Sequence, residues 1–188
     1  LSFITDLISL TILKAEHNLL EKIFKLYFLR LINLEHVSLS HNQIDFIEYD
    51  SFKNLTSLIN LDLLGNKLRL IDDLLNINYA LTLNLNFNFI NSLNIGKILN
   101  KNPRSFTHLE MRYNNIRSID INTFLYFPNL ESLNLENNHL SSLDRLIFKD
   151  LSRRLSILNL DYNDFSIIQN QTFIYLENIF QLSMAHNK

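Results

Sequence analysis

The chain has 188 residues, enough for one domain with a sizeable core, and its 17 Lys plus Arg against 19 Asp plus Glu leave a formal net charge of -2. That balance gives no bulk attraction for phosphate backbones, so nucleic acid is not an expected partner. With no cysteine there is no disulfide, thiolate metal site or cysteine nucleophile, and the apolar residues form no run of about 18 that would span a bilayer.

Only 2 Gly and 2 Pro occur, far below the usual share of roughly 7% and 5%. Something else must make the turns, and the 27 asparagines are the candidates. In chain order, residues 1–9 read as the tail of an earlier repeat, with Ile4 and Leu7 at outer apolar positions. A unit L-x-x-L-x-L-x-x-N-x-L then recurs, starting near residues 10, 34, 58, 80, 106, 130, 155 and 179. Its asparagine falls at Asn18, Asn42, Asn66, Asn88, Asn114, Asn138, Asn163 and Asn187, at spacings of 24, 24, 22, 26, 24, 25 and 24 residues.

Each column of the repeat predicts a structural duty. The x-L-x-L-x stretch alternates with period two, which predicts a short strand whose leucines turn inward and whose variable residues turn out. The inward columns run Leu13, Val37, Leu61, Leu83, Leu109, Leu133, Leu158, Leu182 and Ala15, Leu39, Leu63, Leu85, Met111, Leu135, Leu160, Met184. Where the chain leaves the strand, the asparagine amide is expected to pair backbone groups that the turn leaves unsatisfied inside the stack. On the far side a phenylalanine recurs at Phe28, Phe52, Phe124, Phe148 and Phe173, placed to fill the volume between layers. Two units depart from the pattern. The 22-residue repeat has Asn76 where phenylalanine is expected, and the 26-residue repeat replaces its outer segment with residues 94–105, predicting a change of curvature or a short helix around Ile95–Leu99.

This pattern resembles the typical, roughly 24-residue class of leucine-rich repeats found in Toll-like receptors, chaoptin-like adhesion proteins and small matrix proteins. The resemblance runs from Leu10 to Lys188. It implies an α/β horseshoe solenoid with a parallel sheet on the concave face and a mostly irregular or short-helical convex side. Residues 1–188 are then expected to form a single leucine-rich-repeat domain without cysteine-rich caps, an excerpt of a longer protein whose open ends would associate. The implied function is protein binding within the ectodomain of a membrane-anchored receptor or adhesion protein, an extracellular or cell-surface setting. An intracellular adaptor that scaffolds a signalling complex in the cytoplasm, or a secreted matrix or inhibitor protein, are the alternatives.

Candidate sites follow from the columns. No G-x-S-x-G, H-E-x-x-H or glycine-rich phosphate loop is present, so neither catalysis nor a cofactor is expected. His17 and His41 share a column one repeat apart, but two imidazoles without a third ligand make a poor zinc site, and no metal is expected. Asn54 with Thr56, and Asn170 with Thr172, match the N-glycosylation acceptor pattern. Function is expected on the outward strand positions, which are free of packing duty. The column before the ladder asparagine carries Phe87, Tyr113 and Tyr162 among other rings, and such residues suit interfaces. Counting Glu35 and Glu131, the expected face holds seven acids (Glu16, Glu35, Asp62, Glu110, Glu131, Glu136, Asp161) against Lys14 and Arg112, which gives about -5. Asp62, Phe87, Glu110, Arg112, Tyr113, Glu136, Asp161 and Tyr162 are therefore the expected binding residues, and the expected partner is a protein with a basic patch.

Overall fold

The computed structural model describes every residue except 2–3, 72–73, 75–76, 78, 94–104 and 152. The period-two stretches form eight three-residue strands: β1 (Ile12–Lys14), β2 (His36–Ser38), β3 (Asn60–Asp62), β4 (Thr82–Asn84), β5 (His108–Glu110), β6 (Ser132–Asn134), β7 (Ile157–Asn159) and β8 (Gln181–Ser183). They line up in sequence order as one parallel sheet, each strand between its chain neighbours. The register joins the leucine column directly, from Leu13 opposite Val37 through Leu83 opposite Leu109 to Leu158 opposite Leu182. The fold is a horseshoe solenoid with this sheet on its concave face.

The 22- and 26-residue repeats do not disturb the sheet, because Leu61, Leu83 and Leu109 stay directly opposite one another. Asn76 and the segment around 95–99, where the sequence predicts the irregularity, lie outside the described residues. Elsewhere the convex side is built from tight turns, including 3-10 turns at Lys25–Tyr27, Thr123–Tyr126 and Lys149–Leu151. Two-residue parallel pairings join Lys22–Ile23 to Phe46–Ile47 and Ser92–Leu93 to Ser118–Ile119.

Burial follows the columns. Val37, Leu61, Leu83, Leu109, Leu133 and Leu158 are all buried, whereas Leu182 at the last strand is exposed. The phenylalanines form a spine behind the sheet: Phe28 stands 5.2 Å from Phe52, and Phe148 lies 6.0 Å from both Phe124 and Phe173. No repeat covers its own apolar edge, so each buried ring depends on the next layer.

The asparagine ladder closes the polar accounts of the turns. Asn114 shows the pattern: its Oδ1 accepts from the Ile90 amide, and its Nδ2 donates to the carbonyls of Leu85, Met111 and Arg112. Asn42, Asn66, Asn88, Asn138, Asn163 and Asn187 likewise accept from a backbone amide of the preceding repeat, at 2.9–3.2 Å. Asn18 donates to Ala15 and Glu16 within its own repeat. Each rung satisfies backbone groups that would otherwise be buried and unpaired.

One feature of the turn differs from the sequence reading. The residue that turns the chain is not the ladder asparagine but the one before it. His17, His41, Gly65, Phe87, Tyr113, Asn137, Tyr162 and His186 all have φ between 52 and 67°. For bulky side chains this left-handed conformation costs about 1–2 kcal/mol, so the hydrogen bonds of the following asparagine and the stacking of neighbouring layers must hold it.

Candidate binding face and aromatic rim

The outward strand side chains form a cross-linked polar surface. Asp62, Asn84, Asn134 and Asn159 occupy one column, and in each the side-chain oxygen accepts from the backbone amide two residues on. Two of these asparagines also reach back to an acid on the preceding strand: Asn134 donates to Glu110 at 3.0 Å and Asn159 to Glu136 at 3.3 Å. Asp161 accepts from the Ser183 hydroxyl at 2.7 Å and from the Ala185 amide. Glu110, Glu136 and Asp161 are thus half-buried and held by neighbours, which fixes their carboxylates in space rather than leaving them on mobile stems. Glu16 has its pKa lowered, first by a backbone hydrogen bond and then by the Ser38 hydroxyl.

Of the expected acids, Glu35 and Glu131 stand one residue ahead of β2 and β6. At the last strand position and two residues beyond it stand Glu16, Asp62, Glu110, Glu136 and Asp161 against Lys14 and Arg112, so this surface is net acidic by three charges. Arg112 sits among those acids without an ion pair to them. Its guanidinium carbon lies 6.0 Å from the Phe87 ring centre, within cation–π range, and its buried Nε has no hydrogen-bond partner among the described residues.

Phe87, Tyr113 and Tyr162 do not lie on the flat of the sheet. Their left-handed backbone swings them to the rim where the strands end, and there the rings stack along the solenoid axis. Phe87 and Tyr113 are parallel within 8° at 4.3 Å, Tyr162 and His186 within 13° at 4.3 Å, and His17 and His41 within 9° at 4.5 Å. The ladder of rings is interrupted twice, at Gly65 and at Asn137. At Gly65 the His41 ring leans into the space, since a Cβ there would lie 2.9 Å from its Nδ1.

Beside the rim runs an open groove of about 630 Å³, from Phe87 to His186. Its outer lip is the column after the ladder asparagine, with Phe89, Asn115, His139 and Asp164. Asp164 pairs with Lys188 at 2.9 Å and with His139 at 3.4 Å. The Lys188 hydrogen bond is the main reason its carboxyl is held below the usual range. The sequence reading missed this lip and the asparagine column that ties down the acids. The signal was present as an Asn or Asp four residues before four of the eight ladder asparagines, at Asp62, Asn84, Asn134 and Asn159. Of the two sequons, Asn54 is exposed with its amide donating to the Leu29 carbonyl, and Asn170 is exposed beside a buried Thr172.

A stacked-repeat solenoid with a continuous, preorganised polar sheet and an aromatic rim is a ligand-recognition scaffold. The chain belongs to the leucine-rich repeat family: the family pattern matches residues 8–68 and 128–188. It is a leucine-rich-repeat domain, a protein-binding module. It is 33% identical over 142 residues to Toll-like receptor 3 of Boselaphus tragocamelus, covering 68% of this chain and 15% of that protein. To Tsukushi of Xenopus tropicalis it is 37% identical over 117 residues, covering 62% and 33% of the two chains. Among solved structures, a leucine-rich-repeat protein of Leptospira interrogans superposes over 100% of this chain and 46% of its own, with a TM-score of 0.85 at 26% identity. The chain therefore spans no more than a third of the length of these two curated relatives. Among the described residues, no helix is long and apolar enough to cross a membrane.

Proposed function

We infer that this domain recognises a protein surface carrying a basic patch, as part of the ectodomain of a cell-surface receptor or adhesion protein, and that it acts by binding rather than by catalysis. The observation that carries the reading is an acidic cluster fixed over consecutive repeats, with Glu110 in the column of Asn134 and Glu136 and Asp161 two residues further on. Glu110, Glu136 and Asp161 are each pinned by a neighbour's side chain, so the ordering cost of presenting a negative surface is met in the free protein. Like charges in a row reinforce one another's field and steer a complementary surface. Asp62 adds a carboxylate in the Glu110 column at β3, with Asn84 between the two, and Phe87, Tyr113 and Tyr162 supply rigid apolar area at the rim. The receptor among the relatives and the phenylalanine-bearing 24-residue repeat both support an extracellular setting.

The test is binding of a hexalysine peptide by calorimetry at about 50 and 300 mM salt, where screening lengths differ more than twofold. Binding that weakens with salt and falls at least several-fold in a Glu110→Gln, Glu136→Gln double variant is the expected result. Affinity unchanged by either manipulation would remove the acidic face from the account.

A further inference from the structure

We propose that the missing rung at Asn137 is a binding slot for an arginine side chain of the partner, whose planar guanidinium completes the ring ladder between Tyr113 and Tyr162. The inference rests on the basic-partner reading and names the residue type and the place. Along the rim the rings stack in pairs, each covering one face of its partner. At Asn137 the stack is broken, leaving one face of Tyr113 and one face of Tyr162 turned toward the same gap. Strands two apart are separated by about 9.6 Å. A planar group between two rings needs about 7–8 Å, so the gap takes one such layer and no more.

The residue in the gap is held out of the way. Asn137 is only half-exposed and its Nδ2 donates to Glu136 Oε1 at 3.0 Å, while the rings on either side are 43% and 46% exposed. The gap is therefore a recess between two upright walls, on the open groove already described. At Gly65, by contrast, the His41 ring leans into the vacancy.

Charge selects the guest. Glu136 accepts from the Asn137 amide, Asp161 follows it in the same column one repeat on, and Asp164, paired with Lys188, stands on the outer lip. A phosphate-bearing base would meet these carboxylates, and a neutral ring would leave them unused. A guanidinium stacks on aromatic faces and carries five donors for carboxylates, whereas an ammonium is compact, strongly hydrated and cannot fill a flat slot. The ladder itself supplies a precedent, since Arg112 already lies over Phe87.

The experiment compares hexaarginine and hexalysine peptides of equal charge on the intact chain, in the wild type and in Asn137→Phe. That substitution fills the rung, and its backbone conformation is one that Phe87 and Tyr113 already adopt in the same column. Arginine is expected to bind about five- to thirtyfold tighter than lysine, from two stacked faces, with ring-current upfield shifts of its δ protons. In Asn137→Phe the preference and the shifts should vanish, so that hexaarginine and hexalysine bind the variant equally. Equal affinities in the wild type, or a preference that survives Asn137→Phe, overturn the slot and leave the acidic-face reading standing. If neither peptide binds, both readings fall.

Discussion

Asn114 and Tyr113 are sequence neighbours with separable duties, and their substitution tests the division between ladder and rim. Asn114→Ala removes four hydrogen bonds at once and leaves the buried Ile90 amide and Leu85 carbonyl without that partner. The expected loss is about 1–3 kcal/mol, set by the buried Ile90 amide left unpaired, since the Leu85, Met111 and Arg112 carbonyls keep other donors. Tyr113 is 43% exposed, and its main interaction is the stack on Phe87. Tyr113→Ala is expected to cost about 0.5–1.5 kcal/mol, more than a free surface residue but less than the ladder. Urea unfolding of the two variants decides it, and the reverse order would mean that the rim holds the turn and the asparagine does not. The sequence made the asparagine visible because its spacing is regular. It hid the left-handed residue before it, because His, Phe and Tyr are not turn formers by type. Only the shared backbone geometry of the stack puts them there.

At the scale of elements, the strands and the phenylalanine spine were legible because both follow from periodicity alone. Period two fixes which leucines face in, and a fixed repeat length fixes which of them meet. What periodicity cannot carry is a side-chain contact between repeats, whether within a column, as Asn134 on Glu110, or between columns, as Asn159 on Glu136, 24 and 23 residues apart. Those depend on rotamers that the register permits but does not name. The spine gives a clean energetic test, because its members are alike in sequence and unlike in burial. Phe148 is fully buried with a phenylalanine on either side, whereas Phe173 is only partly buried and meets one. Phe148→Ala is expected to cost about 3–5 kcal/mol, the usual range for a large cavity in a packed core. Phe173→Ala should cost clearly less. Equal losses in thermal or denaturant unfolding would show that the spine is not packed layer by layer.

For the whole molecule, the consequence of stacking is that stability is local in a way that a globular core is not. Each strand of the sheet pairs only with its chain neighbours, and each ladder asparagine after Asn18 ties its own turn to the preceding repeat. Energy is therefore passed along the solenoid through nearest-neighbour contacts. A lesion in one repeat should loosen its neighbours and fade with distance. In Asn114→Ala the Ile90 amide loses its acceptor outright, and the amides of Leu85 and Met111, which bond across adjacent strands, sit in the two layers most affected. Native-state hydrogen exchange is expected to show protection falling most at Ile90, then at Leu85 and Met111, with little change at Ile44 and Leu160, two or more repeats away from the lesion. The same locality bears on recognition, since a partner bound across β5 to β7 would clamp those layers against each other and raise their protection first. Exchange that speeds up uniformly from β1 to β8 in the variant would instead show one all-or-none unit. The rim and the acidic face would then have to be tuned together rather than repeat by repeat.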